Sequence, residues 1–275
     1  MPTASSVTHP VSRYVPLLIE GDLGGLLELF GNAPRVNDPR LGWIEGSEFE
    51  PFVAASFDGL AERQARVEHL TTTSTALGAV EECVLSLVRR GETVRLPVAI
   101  AAVIASDVLT SIHVYHSMLP LMGAHAVRPP VLAPHPGLRL PSVVERYHEM
   151  LAAGDAQGIV GQFEADGLLR EPTGERQMHH GSGELMRFFG ALFAIGGISV
   201  ERCSLTDDGS SCALEYNLTA WGGALLPHQA GIAVYQRAHT GLLAAVRLYD
   251  DVARPSPSPG LGPHGTSGAF ELVEA

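Results

Sequence analysis

The sequence RYVPLLIEGDLGGLLELF, residues 13–30, occurs again in related form as RYHEMLAAGDAQGIVGQF, residues 146–163. The Arg-Tyr, Gly-Asp and Phe positions of the two segments are all 133 residues apart. The similarity continues through Asp38 with Glu171, Glu68 with Glu201, Leu96-Pro97 with Leu226-Pro227 at an offset of 130, and Tyr115 with Tyr249 at 134. Small drifts of this kind are what differences in loop length produce, so the chain contains a duplicated unit.

Each copy predicts the same order of elements. An amphipathic helix comes first, and Gly21-Asp22 ends it and caps a second helix, because Asp is a preferred N-cap residue. A short strand ending at Asp38 or Glu171 follows, then a third helix at about 47–63 or 182–194 and a run of strands. These strands are predicted at about 66–76, 80–90, 94–105 and 108–118, and again at about 198–206, 211–221, 228–237 and 242–252. Helices followed by an antiparallel run predict an α+β fold whose curved sheet forms a cone with one open mouth.

Proline and glycine mark the predicted boundaries. We expect an N-terminal tail at 1–10, a first domain at 11–121, a Pro-rich linker at 122–140, a second domain at 141–254 and a disordered tail at 255–275.

Composition narrows the classes of partner. The 275 residues carry a net charge of −12, which argues against nucleic acid and against an anionic membrane surface. The longest apolar run, 96–105, is too short to span a bilayer, and we see no secretory signal near the N-terminus. Three scattered cysteines give neither a zinc motif nor a disulfide framework, so we expect reduced core thiols in a cytoplasmic protein.

The opening segment, followed by a strand ending in Asn-Asp-Pro, resembles ketosteroid isomerases and their relatives of the NTF2-like, or SnoaL-like, superfamily. Tyr14, Asp38 and Glu68 match pocket positions of that pattern. The resemblance implies a second carboxylic acid just after Leu96-Pro97, where this chain has Val98-Ala99 and, in the second copy, His228-Gln229. Without that acid the enolate-binding pair of an isomerase is incomplete in the first copy.

Two fused copies, each with an acid at a strand end and a Glu about thirty residues on, resemble the epoxide hydrolase/cyclases of polyether ionophore biosynthesis. That resemblance implies an acid/base pair of Asp38 and Glu68 assisted by Tyr14, and a second of Glu171 and Glu201 assisted by Tyr147. We therefore expect Asp38 to lie near Glu68 and Glu171 near Glu201. Glu171 reaches one methylene further than the Asp that is usual there.

Two carboxyls in one apolar pocket suit epoxide opening, because one can stay protonated and the other charged. The first protonates the epoxide oxygen while the second takes the proton of the attacking hydroxyl. The expected substrate is an apolar polyketide-type small molecule, and the chemistry needs neither a metal nor a cofactor.

Further residues are candidates for substrate binding because they could wall or border the two pockets. They are Trp43, Phe52, His113, Tyr115, His228, Gln229, Tyr249 and Asp250. His113 and His116 do not predict a metal site, since residues three apart on a strand point to opposite faces.

Other interpretations stay open from sequence alone. Asp before Pro is also a common turn, Glu68 could face solvent, and Tyr14 and Tyr147 could be core residues. The same acids would also serve a polyketide cyclase or ketone isomerase, and a cupped apolar pocket without catalysis would make the chain a small-molecule binder. Whether the chain forms a homodimer is open as well.

Overall fold

A computed structural model describes residues 9–106, 108–174 and 177–255. Most of the predicted N-terminal tail and of the predicted disordered tail, residues 1–8 and 256–275, lie outside the described residues. No helix within the described ranges is long and apolar enough to cross a membrane.

The first copy begins with a 3-10 turn and three helices interleaved with a two-stranded edge, and it ends in a four-stranded meander. Its elements are α1 (Tyr14–Glu20), α2 (Leu23–Leu29), β1 (Arg35–Asp38), β2 (Gly42–Glu45), α3 (Phe49–Glu62), β3 (Arg66–Ser74), β4 (Gly78–Arg89), β5 (Glu92–Ala105), β6 (Val108–Tyr115) and the short α4 (Leu119–Met122).

The second copy repeats this order. Its elements are α5 (Ser142–Ala153), α6 (Ala156–Val160), β7 (Phe163–Arg170), β8 (Met178–His180), α7 (Gly181–Leu192), β9 (Ile198–Asp207), β10 (Ser211–Trp221), β11 (Ala224–Arg237) and β12 (Leu243–Leu248).

The two sheets have the same topology. Their strand orders are β2-β1-β6-β5-β4-β3 and β8-β7-β12-β11-β10-β9. All neighbours are antiparallel except β1 with β6 and β7 with β12, which are parallel. The prediction of two tandem α+β domains is confirmed.

Short helices begin where the sequence predicts. The Asp22 side chain accepts a hydrogen bond from the Gly25 N–H at 2.9 Å, and Asp155 caps the equivalent helix through Gly158 at 2.8 Å. Gly21, which ends α1, has a φ of 69°, a left-handed conformation that favours glycine.

Strand register corrects one equivalence drawn from the sequence. Cys83 lies opposite Val98, and Tyr216, 133 residues after Cys83, lies opposite Gly231. The offset is therefore 133 here too, and the pairing of Leu96-Pro97 with Leu226-Pro227 is wrong. A bulge between Leu218 and Ala220 shifts the register of the β10–β11 hairpin near its turn.

The domains stack through the sheet faces that point away from their own helices. A shared cluster of buried side chains joins the sheets; its largest members are Tyr115 from β6 and Tyr249, the residue after β12. The helices of each domain pack on the other face of their own sheet, in separate core clusters.

Two buried carboxylates cross this junction in a pseudo-twofold arrangement. Glu82 accepts hydrogen bonds from Arg247 at 2.6 and 2.8 Å and from the Tyr249 hydroxyl at 2.6 Å. Its counterpart Glu215 bonds to His113 at 2.7 Å and to the Tyr115 hydroxyl at 2.8 Å. Equivalent residues of the two domains thus form the two halves of the junction, as in an isologous dimer interface.

The partners of Glu215 keep it ionised. Burial alone would raise the pKa of Glu215, but the hydrogen bond and charge of His113, together with bonds from Ser204 and Tyr115, outweigh it and lower the pKa. Arginines cover the outer faces of both tyrosines: Arg128 lies 4.0 Å from the ring centre of Tyr115 and Arg170 lies 4.6 Å from that of Tyr249.

The junction yields a stability prediction. Glu82→Ala should lower the free energy of unfolding by about 3–5 kcal/mol, because it leaves the Arg247 cation buried without its carboxylate. Urea denaturation measures the change. Glu68→Ala is the matched control: its pair with Arg95 is largely exposed, and its loss should cost less than about 1 kcal/mol. Equal effects of the two variants would contradict the role of Glu82.

Candidate functional site

The second domain holds a cavity of about 400 Å³ between α5, α7 and the helix-covered face of its sheet. Most of its wall is apolar, with Leu151, Phe189 and Trp221 among the larger side chains. The volume is within the range of small-molecule sites. A few polar groups enter this wall and decide what the cavity can do.

Asp250 and Tyr216 form the central polar pair. The Tyr216 hydroxyl donates to Asp250 Oδ2 at 2.6 Å, and both residues line the cavity. Burial raises the pKa of Asp250, the neighbouring charge of Asp251 raises it further, and the Tyr216 hydrogen bond partly offsets both. Burial also raises the pKa of Tyr216 well above 10, so the phenol keeps its proton.

Gly231 makes room for this pair. A Cβ at position 231 would lie 2.8 Å from both the Asp250 Cβ and the Tyr216 ring. The first domain has Val98 at the equivalent register position. The absence of a side chain at residue 231 is therefore a requirement for the Asp250–Tyr216 contact.

Glu171 is a second carboxyl on the same wall. Its Oε1 bonds to His179 Nε2 at 2.7 Å, and the imidazole stacks on Phe188 with 4.4 Å between ring centres. Leu169 and Glu171 both line the cavity, and His179 lies opposite Leu169 in the antiparallel β7–β8 pair, so His179 shares that face of the sheet. The stacked histidine fixes the orientation of Glu171.

His148 and Tyr235 form a third polar pair, with a distance of 2.8 Å between His148 Nε2 and the Tyr235 hydroxyl. Burial, followed by the charge of Arg202, lowers the pKa of His148 to about 3, so the imidazole is neutral. Tyr147 packs edge-on against Tyr235, with 5.3 Å between ring centres. These rings give the cavity a rigid, neutral polar side.

The first domain lacks these groups at the equivalent positions. Register and offset place Cys83 at the position of Tyr216, Ala102 at that of Tyr235, Val15 at that of His148 and His116 at that of Asp250. Burial lowers the pKa of His116, which keeps that imidazole neutral as well. The polar constellation is thus specific to the second copy.

The acids of the predicted first pair are not brought together. Asp38 accepts the backbone N–H groups of Arg40 and Leu41 at 2.8 and 3.0 Å, which is a turn interaction. Glu68 lies opposite Val84, whose neighbours Cys83 and Leu85 face the core, so strand alternation turns Glu68 to the other face. There it bonds to Arg95.

Glu201 has the same orientation in the second copy. It lies opposite Asn217, between the core-facing Tyr216 and Leu218, and it pairs at 3.5 Å with His228 on the exposed side. Glu171 therefore faces the cavity while Glu201 faces away from it.

The remaining predicted residues occupy several places. Tyr147, Glu171 and Asp250 line the cavity. Tyr14 and Phe52 are buried in the first core, and burial raises the pKa of Tyr14. Three further candidates, His113, Tyr115 and Tyr249, lie at the domain junction rather than in a pocket. Their strand partners, Ala101, Ala99 and Ile232, belong to the face shared by the two sheets. Trp43 packs against His113 at the junction, and Gln229 is buried beside Leu218.

Sequence reasoning missed Tyr216, Tyr235, His148 and His179. The available signal was a difference between the copies: polar or aromatic residues of copy two replace Cys83, Ala102 and Val15 of copy one. Acids shared by the two copies reflect what the domains have in common, whereas the polar groups of this cavity lie where the copies differ.

Residues 144–246 match the SnoaL-like domain family. No curated protein matches the chain. Among solved structures, a protein from Sinorhizobium meliloti assigned as a polyketide cyclase is 17% identical, with 40% of this chain and 94% of that chain covered and a TM-score of 0.34. A protein from Kribbella flavida assigned as a ketosteroid isomerase is 21% identical, with 46% of this chain and 90% of that chain covered and a TM-score of 0.34. An LEH-like epoxide hydrolase of M. tuberculosis is 16% identical, with 40% of this chain and 81% of that chain covered and a TM-score of 0.35.

The match to the SnoaL-like domain family lies within the second domain, and the first domain repeats the sheet topology of the second.

The raised pKa of Asp250 predicts a stability change of defined sign. A carboxyl whose pKa is raised on folding contributes stability below its unfolded pKa and loses it as pH rises through the folded pKa. Asp250→Asn should therefore be more stable than the wild type at pH 7, by about 1.4 kcal/mol for each unit of the raised pKa, and the difference should shrink on acidification.

Asp208 supplies a control of opposite sign. Burial would raise the pKa of Asp208, but hydrogen bonds from Ser211 and Ser210 outweigh it and lower the pKa. Asp208→Asn should lose stability above the unfolded pKa of Asp. Urea denaturation at pH values from about 4, near the ordinary carboxyl pKa, up to about 8 compares the free energies of unfolding of the two variants and the wild type. An Asp250→Asn variant that is less stable at pH 7 would contradict the assignment.

Proposed function

We propose that the second domain is a cofactor-independent acid–base enzyme that opens an epoxide of an apolar, polyketide-type substrate by attack of an internal hydroxyl. The observation that carries the proposal is the presence of Asp250, whose pKa is raised, and Glu171 on the wall of one apolar cavity. The carboxyl pairs Asp38–Glu68 and Glu171–Glu201 are replaced in this proposal by Asp250 and Glu171.

Asp250 is the proposed acid. Tyr216 occupies Oδ2 as a donor, so the protonated carboxyl carries its hydrogen on Oδ1. As the epoxide C–O bond breaks, this hydrogen passes to the epoxide oxygen, which becomes the new hydroxyl. The electron pair of the broken bond stays on that oxygen, and Asp250 is left as a carboxylate stabilised by Tyr216.

Glu171 is the proposed base. His179 occupies Oε1, which leaves the other oxygen to accept the hydrogen of the attacking hydroxyl as its C–O bond forms. The product is a cyclic ether isomeric with the substrate. General acid–base assistance of this kind contributes about 10²–10⁴-fold, and orientation of the chain in the cavity contributes further.

One feature favours epoxide opening over enolisation of a ketone. An enolate oxygen is best stabilised by two donors at once. Here the single hydroxyl hydrogen of Tyr216 is already donated to Asp250, so the pair offers one acidic hydrogen to one oxygen. That stoichiometry fits the protonation of an epoxide oxygen.

The test compares site variants on an apolar hydroxy-epoxide, with product formation followed by chromatography. Asp250→Asn and Glu171→Gln should each lower kcat/KM by about 10²–10⁴-fold, because each removes one proton transfer. The matched controls Glu201→Gln and Glu68→Gln change carboxyls on the other sheet face and should leave the rate within about twofold of the wild type, as surface changes away from a site do.

Loss of activity in the Glu68→Gln or Glu201→Gln variant, with an active Asp250→Asn variant, would overturn the proposal. Hydrogen–deuterium exchange next to the carbonyl of an apolar ketone tests the competing reaction. Exchange without epoxide opening would assign the cavity to ketone isomerisation instead.

A further inference from the structure

The segment between the two domains contributes to the second-domain cavity. Leu119 from α4 and His125, which follows it, both line the cavity. Beyond Met122 this segment has neither helix nor strand up to residue 140. The wall of the second site is therefore completed by residues outside the second domain.

His125 is held by a buried carboxylate. Its Nδ1 lies 2.9 Å from Asp251 Oδ1, and the Asp251 side chain is only 5% exposed. Asp251 also accepts the Ser117 hydroxyl at 2.5 Å and the Ala126 N–H at 2.7 Å. Because Asp251 already accepts from Ser117 and Ala126, it also accepts a hydrogen bond from His125 Nδ1–H. In the neutral imidazole the lone pair is then on Nε2.

Asp250 and Asp251 are consecutive residues, but their side chains lie on opposite sides of the cavity wall. Asp250 bonds to Tyr216 inside the cavity, whereas Asp251 bonds to the interdomain segment. His125 and Asp250 line the same cavity, and when His125 is protonated its positive charge lowers the pKa of Asp250. The His125 side chain is 30% exposed, so it meets both the cavity and solvent.

We propose that His125 is a proton relay that returns a proton to Asp250 after each turnover. The inference rests on the proposed function, in which Asp250 ends the reaction as a carboxylate and Glu171 ends it protonated. Protonated His125 gives its Nε2 hydrogen to Asp250, directly or through one water, and then takes a proton from solvent. Glu171 releases its proton to solvent, so no net proton is gained or lost.

The relay meets a need of this site. Asp250 is half-buried beside Tyr216 in the cavity wall, and the Tyr216 hydrogen is already donated to it. A bound product further separates the carboxylate from water. Histidine is the side chain that gains and loses protons near neutral pH, and its carboxylate partner keeps the ring oriented for repeated transfer.

The test uses the full chain and His125→Asn, because the Asn amide can still donate to Asp251 and hold the segment. Single-turnover epoxide opening should stay within twofold of the wild type, since Asp250 begins protonated. Steady-state kcat should fall at least tenfold, and added imidazole buffer should restore it. His135→Asn, which changes an exposed histidine of the same segment, should alter neither rate.

Unchanged steady-state kcat in His125→Asn, or a loss that imidazole does not restore, would overturn the relay. A substrate-free measurement separates this outcome from failure of the proposed function. Carbon-detected NMR of Asp250 should show a second titration step where His125 titrates, present in wild type and His135→Asn and absent in His125→Asn. A wild type without that step refutes the relay, whereas a wild type with the step but without epoxide opening refutes the proposed function alone.

Discussion

The arrangement of the whole molecule depends on the two buried carboxylates that cross the domain junction, Glu82 and Glu215. Each comes from one sheet and is bonded by a tyrosine hydroxyl and a basic side chain from the other. Removing either partner would leave a charge in an apolar layer, so the sheets hold one relative position. That position directs both helix layers outward and carries the chain from β6 across to the second domain.

The crossing has a consequence for the second cavity. Since β6 ends at the junction, the residues after it run along the edge of the second domain, and Ser117, His125 and Ala126 meet Asp251 there. Asp250, the residue before Asp251 just after the end of β12, lies on the opposite side and lines the cavity. The junction and the cavity are thus linked by two adjacent aspartates, and the first domain acts as a structural partner of the second site.

The two copies show how a repeated fold can hold different chemistry. Their topology and their junction contacts are equivalent, but Val98 fills the place that Gly231 leaves open in copy two. Where the glycine is present, Tyr216 and Asp250 meet; where the valine is present, the counterparts are Cys83 and His116. One small residue in a strand is therefore coupled to the presence of an acid in the pocket.

The sequence by itself determined the duplication, the α+β class and the helix cap at Asp22, because each depends on local propensity and periodicity. The longer strands were predicted as well, but the short edge strands β2 and β8 were not. It also identified Glu171, Tyr147 and Asp250 as candidates. Only the tertiary structure decided that Glu68 and Glu201 face away from the pocket, since one residue of register reverses a side chain. It alone paired Tyr216 with Asp250 and His125 with Asp251, contacts 34 and 126 residues apart, because packing and not local sequence sets such distances.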